Sequence, residues 1–501
     1  MHRKTLSLTL AVLTAAAFAA GPAAPSEDGT LPKLTAIAGQ GMMSRGAYTD
    51  LQELSDDVGG RVTGTPEDKK AIEWGLAKMK AIGLENVHAE PYQFSPGWSR
   101  ISASAEMVSP QRRRLQVDSL GWVGSTPTGG VEADVVLLNT NRLDDEMRNN
   151  AAQWKGKILL SVKRGEAPTE PQSGKFGQFL RAAHKAGAVA VIGGQSGAEA
   201  AGLRLTHTGA LGYGEFFDLP TVSMIAEDSK QLERYLDAGK TVRLKLDVQN
   251  RVTAGPVQSA NVVGEIRGAE FPEQIIVVGG HLDSWDLAQG TTDDGVGVVT
   301  TLGAARAILA AGQRPRRTIR FVLFTGEEQG LLGSFAYVKQ HEKEMANHVA
   351  AIVLDNGQGP VATLQLGGRK DVMPAVEKFT GALSGLSALK IDDKPTFGTD
   401  TGPFTFAGIP AINLNQDSPE YKFTHHSAAD TFDKVQPDIL ARNTTVKALL
   451  AFWIADRPER LATPWTREQV ARMLIEKKMD KQLKGYGIWP FGDAGTGDKK
   501  Q

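Results

Sequence analysis

The chain is predicted to be an α/β protein: a doubly wound, mixed but mostly parallel sheet interrupted by a small inserted α+β unit. Three observations carry this. Four compact apolar runs, at 275–278, 319–324, 351–354 and 411–414, lack the alternation of a half-exposed sheet. With helical patterns at 296–311 and 437–454, they have the texture of buried parallel strands joined by helices. Between about 116 and 248 that texture gives way to short strands with Gly-rich turns. Polar residues then gather just beyond the apolar runs, where open α/β sheets place their ligands.

Residues 1–19 read as a secretory signal peptide. Met1-His2-Arg3-Lys4 is a basic start, and Ala17-Phe18-Ala19 offers a cleavage site. The apolar run between them is shorter than the roughly 20 residues of a spanning helix. With no later stretch apolar enough to span, a secreted or periplasmic protein free of the membrane is expected. Residues 20–40, rich in Ala, Pro, Gly and Ser at their start, are expected to form a flexible leader. The main domain begins over 41–112. A helix over 48–54 stops at Gly59-Gly60; a second opens at Pro66, carries Ile72, Trp74, Leu76, Met79 and Ile82 at helical spacing, and is capped by Gly83. The insertion spans 113–252, with strands at 131–138, 157–162, 188–192 and 219–224 and helices at 179–186 and 228–238. The alternating stretch 242–248 reads as an edge strand. The main domain resumes over 253–460, and a helical tail covers 461–501.

Composition limits the chemistry. Lys and Arg total 56 against 57 Asp and Glu, a net charge of −1, which provides no electrostatic footprint for nucleic acid. The absence of cysteine excludes disulfides, thiolate catalysis, iron–sulfur clusters and Cys-ligated zinc. A metal must therefore be held by carboxylates and some of nine histidines.

Strand 275–278 runs into His281-Leu282-Asp283; extended backbone puts His281 and Asp283 on one side, where the carboxylate can hold the ring nitrogen opposite a metal. Asp293 precedes a helix and would serve equally as its cap. Strand 319–324 ends in Glu327-Glu328, adjacent carboxylates that repel unless a cation intervenes, or else form a solvated acidic turn. Asp355 follows 351–354, and His425-His426 follow 411–414. Jointly, His281, Asp293, Glu328, Asp355 and His426 are an N/O set suited to zinc. Five ligands exceed one tetrahedral ion unless a carboxylate bridges two. Two Zn²⁺ against three carboxylates leave about one positive charge to bind and ionise water. Glu327, beside a ligand and itself spare, is the natural general base.

His281-Leu-Asp283, Asp293, Glu327-Glu328, Asp355 and His426-Ser-Ala-Ala-Asp430 resemble, in order and spacing across about 261–453, the motif set of the M28 family of co-catalytic zinc peptidases. The resemblance implies the zinc exopeptidase fold, Asp293 bridging two Zn²⁺, His281 and Asp355 completing one site, and Glu328 and His426 the other. It further implies Glu327 as base and Asp283 as a support behind the ligands. Residues 58–66, 83–87, 281–286 (HLDSWD) and Gly398-Thr399-Asp400 are similar to the carboxypeptidase Q-like group of that family. Stretches 154–158, 186–192 and 219–223 resemble a protease-associated (PA) domain.

A chain of this kind is a secreted di-zinc exopeptidase acting on dipeptides or short peptides, and relatives of this type often form homodimers. Asp400 is expected at the substrate terminus and His425 as a neighbour rather than a ligand. Some relatives use a Tyr at the oxyanion that has no counterpart in 396–400. Two other readings share the fold. A single-zinc glutaminyl cyclase-like acyl transferase is opposed by the full second ligand set, and a non-catalytic receptor-like protein by the retained ligands and base. Free-amine, free-carboxylate and dipeptide recognition stay open. The sequon at Asn443 lies in a helical pattern and reads as unmodified.

Overall fold

The structure is a computed structural model that describes residues 30–169, 172, 174–194, 203–383 and 385–492. The expected signal segment, the leader up to 29 and the last nine residues of the tail lie outside these. Strand β1 (Glu85–Phe94) belongs to a first sheet. A second sheet holds β2 (Gly97–Ser109), β3 (Arg113–Leu115), β4 (Val117–Ser119), β5 (Val131–Asn139), β6 (Ile158–Val162), β7 (Ala190–Gly194), β8 (Thr221–Met224) and β9 (Arg243–Thr253). The first sheet is completed by β10 (Val257–Ile266), β11 (Phe271–His281), β12 (Arg317–Phe324), β13 (His348–Val353), β14 (Val361–Gln365), β15 (Lys390–Asp392) and β16 (Ala411–Gln416).

The first sheet runs β1-β10-β12-β11-β13-β16-β14-β15. Its centre, β12-β11-β13-β16, is parallel, while β1 with β10, β10 with β12 and β14 with β16 pair antiparallel. Burial explains the unbroken apolar runs. Ile276, Val278, Phe321, Leu323 and Ile352 pack under helices Val296–Ala310 and Pro437–Asp456. The alternate residues Val277, Val322, Phe324 and Ala351 meet Tyr337 and Phe404 on the opposite face. Covering both faces removes any need for polar alternation, and each large apolar side chain so buried contributes about 1.5–3 kcal/mol.

Three sequence expectations are corrected. Helix Thr30–Met43 occupies part of the expected leader; Leu34 and Ile37, one helical turn apart, enter the core beside helix Pro437–Asp456, and Lys33 pairs with Asp456 at 2.7 Å. Its Ala- and Gly-containing sequence had masked that periodicity. Second, β2 already lies in the second sheet at Gly97, ahead of the expected start at 113. Third, β9 stands between β2 and β5 rather than at an edge. Its alternation (Leu244, Leu246 and Val248 buried) reports one covered face, not a free side. The Asn443 side chain is buried, donating to the Gly359 carbonyl and accepting from Val361 N.

Candidate metal centre

The parallel neighbours β12 and β13 flank β11, so their carboxyl ends emerge together. His281 ends β11; Glu327-Glu328 follow β12, and Asp355 follows β13. Asp293 comes from the turn 291–295 that leads into helix Val296–Ala310, and His426 from the loop after Tyr421–Thr424. All five predicted metal-binding side chains converge.

The His281 Nε2 lies 3.2 Å from Asp293 Oδ1 and 3.4 Å from Asp355 Oδ1. The His426 Nε2 lies 3.2 Å from Asp293 Oδ2 and 2.9 Å from Glu328 Oε2. Asp293 thus turns one oxygen to each imidazole. Both rings are oriented from behind: His281 Nδ1 sits 3.0 Å from the Asp283 carbonyl and His426 Nδ1 3.2 Å from that of Thr208. A carbonyl only accepts, so each Nδ1 carries the hydrogen and each Nε2 presents a lone pair to carboxylate oxygens. Such facing acceptors repel unless a cation or proton lies between them. Among the described residues, His281 Nε2, Asp293 Oδ2 and Glu328 Oε1 are buried with no hydrogen-bond partner. This donor set fits divalent zinc, which takes imidazole nitrogen and carboxylate oxygen.

With no cation between them, these groups would meet the crowding by holding protons. Burial pushes the Glu328 carboxyl up to about 7 and lifts Asp355. Burial opposes ionisation of Asp293, yet the two imidazoles hold it well below the usual range. Burial likewise opposes charge on His281 and His426, but the carboxylates raise both well above an ordinary imidazole.

His425 comes nearer than a bystander. Its Nε2 is 3.7 Å from Asp293 Oδ2, and its ring stacks on His426 with centroids 3.7 Å apart. Burial and His426 push it down to about 4, so it stays neutral.

The support of these groups differs from the sequence expectation in two places. The His281 ring is held by the main-chain carbonyl of Asp283, its carboxylate being 3.7 Å away. That carboxylate instead accepts from Thr63 Oγ1 at 2.9 Å and from the amides of Glu327 and Glu328 at 3.2 and 3.3 Å, which orients the Glu327–Glu328 turn. Asp400, expected at the substrate, is fully buried at the start of helix Thr401–Phe406 and does not line the cavity. Burial pushes its carboxyl up to about 7. Asp430 binds the amides of Thr292 and Asp293 at 2.6 and 3.2 Å and so shapes the turn.

The fully buried Arg61 reaches the carbonyls of Leu282, Gly59, Gln289 and Gly290. Arg61→Ala strands these carbonyls and removes a cation beside the acidic centre. It is expected to cost about 3–5 kcal/mol, read by denaturant unfolding; a loss below about 1 kcal/mol would contradict this role.

Over the centre lies a cavity of about 780 Å³, lined in part by Glu327, Asp355 and His425. Phe176 and Tyr213, from the block that carries the second sheet, and Tyr486, near the C-terminus, close its walls. The Tyr213 hydroxyl donates to the Phe397 carbonyl at 3.0 Å, and its ring meets Tyr486 edge-on at 5.4 Å. Sequence reasoning missed these three aromatics, which belong to no motif. Glu327 is partly exposed there, but burial and nearby carboxylates push its carboxyl well above the usual range.

Metal removal should make stability strongly pH-dependent. Without a cation, the raised carboxyls of Glu328, Asp400 and Asp430 (about 7, 7 and 6) hold protons that the unfolded chain releases near its ordinary, lower values. Their stabilisation is present at acid pH and lost as pH rises through about 6–7; the raised imidazoles act in the same direction and Asp293 in the opposite one. Chelator-stripped protein is expected to melt lower at about pH 8 than at about pH 5, and zinc to restore most of the difference. Equal melting temperatures at the two pH values would contradict the assignment.

Comparison with known proteins bears on the family and the fold. The model of peptidase family M28 matches residues 261–451. Carboxypeptidase Q of Mus musculus is 30% identical over 426 residues, which cover 85% of this chain and 89% of that protein. The crystal structure of a peptidase M28 precursor from Shewanella amazonensis aligns with a TM-score of 0.77 at 31% identity, covering 87% of this chain and 99% of the other. A zinc aminopeptidase from Bacillus subtilis shares the fold, with a TM-score of 0.64 at 21% identity over 84% of this chain and 97% of the other.

Proposed function

The chain belongs to peptidase family M28 and is a zinc metallopeptidase, and on that premise we propose that it is a two-zinc exopeptidase cleaving dipeptides or short peptides. His281, Asp293 and Asp355 would hold one ion, and Asp293, Glu328 and His426 the other. The observation that carries this reading is Asp293, which offers one carboxylate oxygen to each of two imidazole–carboxylate sets. Bound there, zinc supplies Lewis acidity toward a carbonyl oxygen and lowers the pKa of water.

The chain's own residues do the rest. Glu327 lines the cavity beside both sets, its amide anchored on Asp283. Its carboxylate takes the proton of the attacking water and returns it to the leaving amine nitrogen. A base with a raised pKa suits that double transfer near neutral pH. Among the described residues, neither Lys nor Arg lines the cavity. A substrate carboxylate therefore finds no Lys or Arg side chain there, and the acidic lining favours a substrate with a free amine. The aromatic walls offer apolar surface to a side chain, and the cavity volume of about 780 Å³ suits a short peptide.

The block carrying the second sheet is read as the PA-type insertion and contributes Phe176 and Tyr213 to the cleft. Export rests on the N-terminal signal sequence. Among the described residues, no helix is long and apolar enough to cross a membrane.

A panel of free dipeptides, aminoacyl-anilides and blocked longer peptides tests the reading on stripped and zinc-reloaded enzyme. Zinc-dependent hydrolysis confined to short, unblocked peptides is expected. Cyclisation of N-terminal glutamine with one zinc per chain, or inertness after zinc loading, would overturn it.

A further inference from the structure

We propose that Trp285 is a positioning residue for the metal position formed by Asp293, Glu328 and His426, and that the second-sheet block holds it in place through Trp98 and Trp122. The inference rests on the two-zinc reading above.

Trp285 is buried and donates its indole N–H to Glu328 Oε2 at 2.7 Å. That same oxygen faces His426 Nε2 at 2.9 Å, while Glu328 Oε1 has no partner among the described residues. One fixed N–H therefore sets the rotation of the carboxylate and determines which oxygen is left for a cation. The Trp285 ring also meets the His426 ring edge-on, with centroids 6.0 Å apart. A single side chain thus touches two of the three groups at this position.

What holds Trp285 comes from outside the first sheet. Trp98 and Trp122 contact its ring at centroid separations of 6.3 Å each. Their own indoles donate to Val123 and Pro96 carbonyls at 3.1 and 2.9 Å, which fastens both rings to the block around the second sheet. Of the three indoles, Trp285 alone is directed at a site carboxylate. Gly121 lies against the ring, where a Cβ would collide with it. The next residue, Asp286, is held by the Arg100 guanidinium from β2 at 2.9–3.2 Å. The His281 position is supported differently, from Asp283. Loss of the indole should therefore affect one position and spare the other.

The test is zinc binding by chelator competition on the full-length mature protein, wild type against Trp285→Phe, which keeps an aromatic ring and removes the donor. The expected result is two zinc equivalents in both proteins, with one weakened about 10–100-fold in the variant and the other unchanged. Gly121→Ala, which displaces the same ring while keeping its N–H, should give the same selective loss and serves if the Phe variant does not fold. Wild-type constants for both equivalents in the variants would overturn the inference alone. Equal weakening of both equivalents would reduce Trp285 to packing and also overturn it. A wild-type protein that binds fewer than two zinc ions would overturn the two-zinc reading and the inference with it.

Discussion

Glu327→Gln is expected to lower kcat by about 10²–10⁴-fold, the usual contribution of a positioned base, while zinc content stays at the wild-type level. Gln has nearly the same shape, so the cavity and the amide contact with Asp283 should persist. What is lost is the ability to accept a proton. Because Glu327 is adjacent to Glu328 without belonging to either imidazole–carboxylate set, removing its charge leaves every metal-facing atom in place. Crowding by other carboxylates also raises its pKa; neutralising it should therefore not destabilise the fold. Steady-state kinetics with metal analysis of the same sample decide the matter. Turnover within tenfold of wild type would remove Glu327 from the reaction, and halved zinc would make it a ligand.

The second large effect is expected at Asp293. Its two oxygens stand 3.2 Å from the Nε2 atoms of His281 and His426, so Asp293→Ala removes a partner from both positions at once. Both zinc affinities should fall by more than the roughly 10–100-fold that outer partners command, and activity should disappear. Asp355→Ala, which touches only the His281 side, should weaken one equivalent and spare the other. In the metal-free protein, Asp293 is the counter-ion of two buried imidazoles; its loss there should cost about 3–5 kcal/mol of stability. A full-affinity zinc site surviving in Asp293→Ala would show that this carboxylate serves one ion, not two.

How much of this was legible before folding depended on the range of the cause. His281, Asp293, Glu328 and Asp355 could be singled out because each sits a few residues beyond a local apolar run or at a helix start, and His426, twelve residues past its run, because metal chemistry admits few residue types. The resemblance to a known motif set then assigned them. Asp400 entered through the resemblance of Gly398-Thr399-Asp400 to a known group, whereas the backbone turns its side chain into the core. The bonds of Asp283 were not legible, since only folding brings Thr63 and the Glu327 and Glu328 amides to its carboxylate.

Phe176, Tyr213 and Tyr486 line one cavity from segments far apart in sequence, and nothing local announces that meeting. The same holds for Trp98, Trp122 and Trp285. In the fold, alternation along β9 revealed its buried face but not its neighbours, and small residues hid the helix at Thr30–Met43.

The most direct test of the central claim is a zinc titration of chelator-stripped protein with peptidase activity followed in parallel. Two equivalents bound per chain, with full activity reached only at the second, is the expected result. Full activity at one equivalent, with no second ion taken up at any concentration, would contradict it.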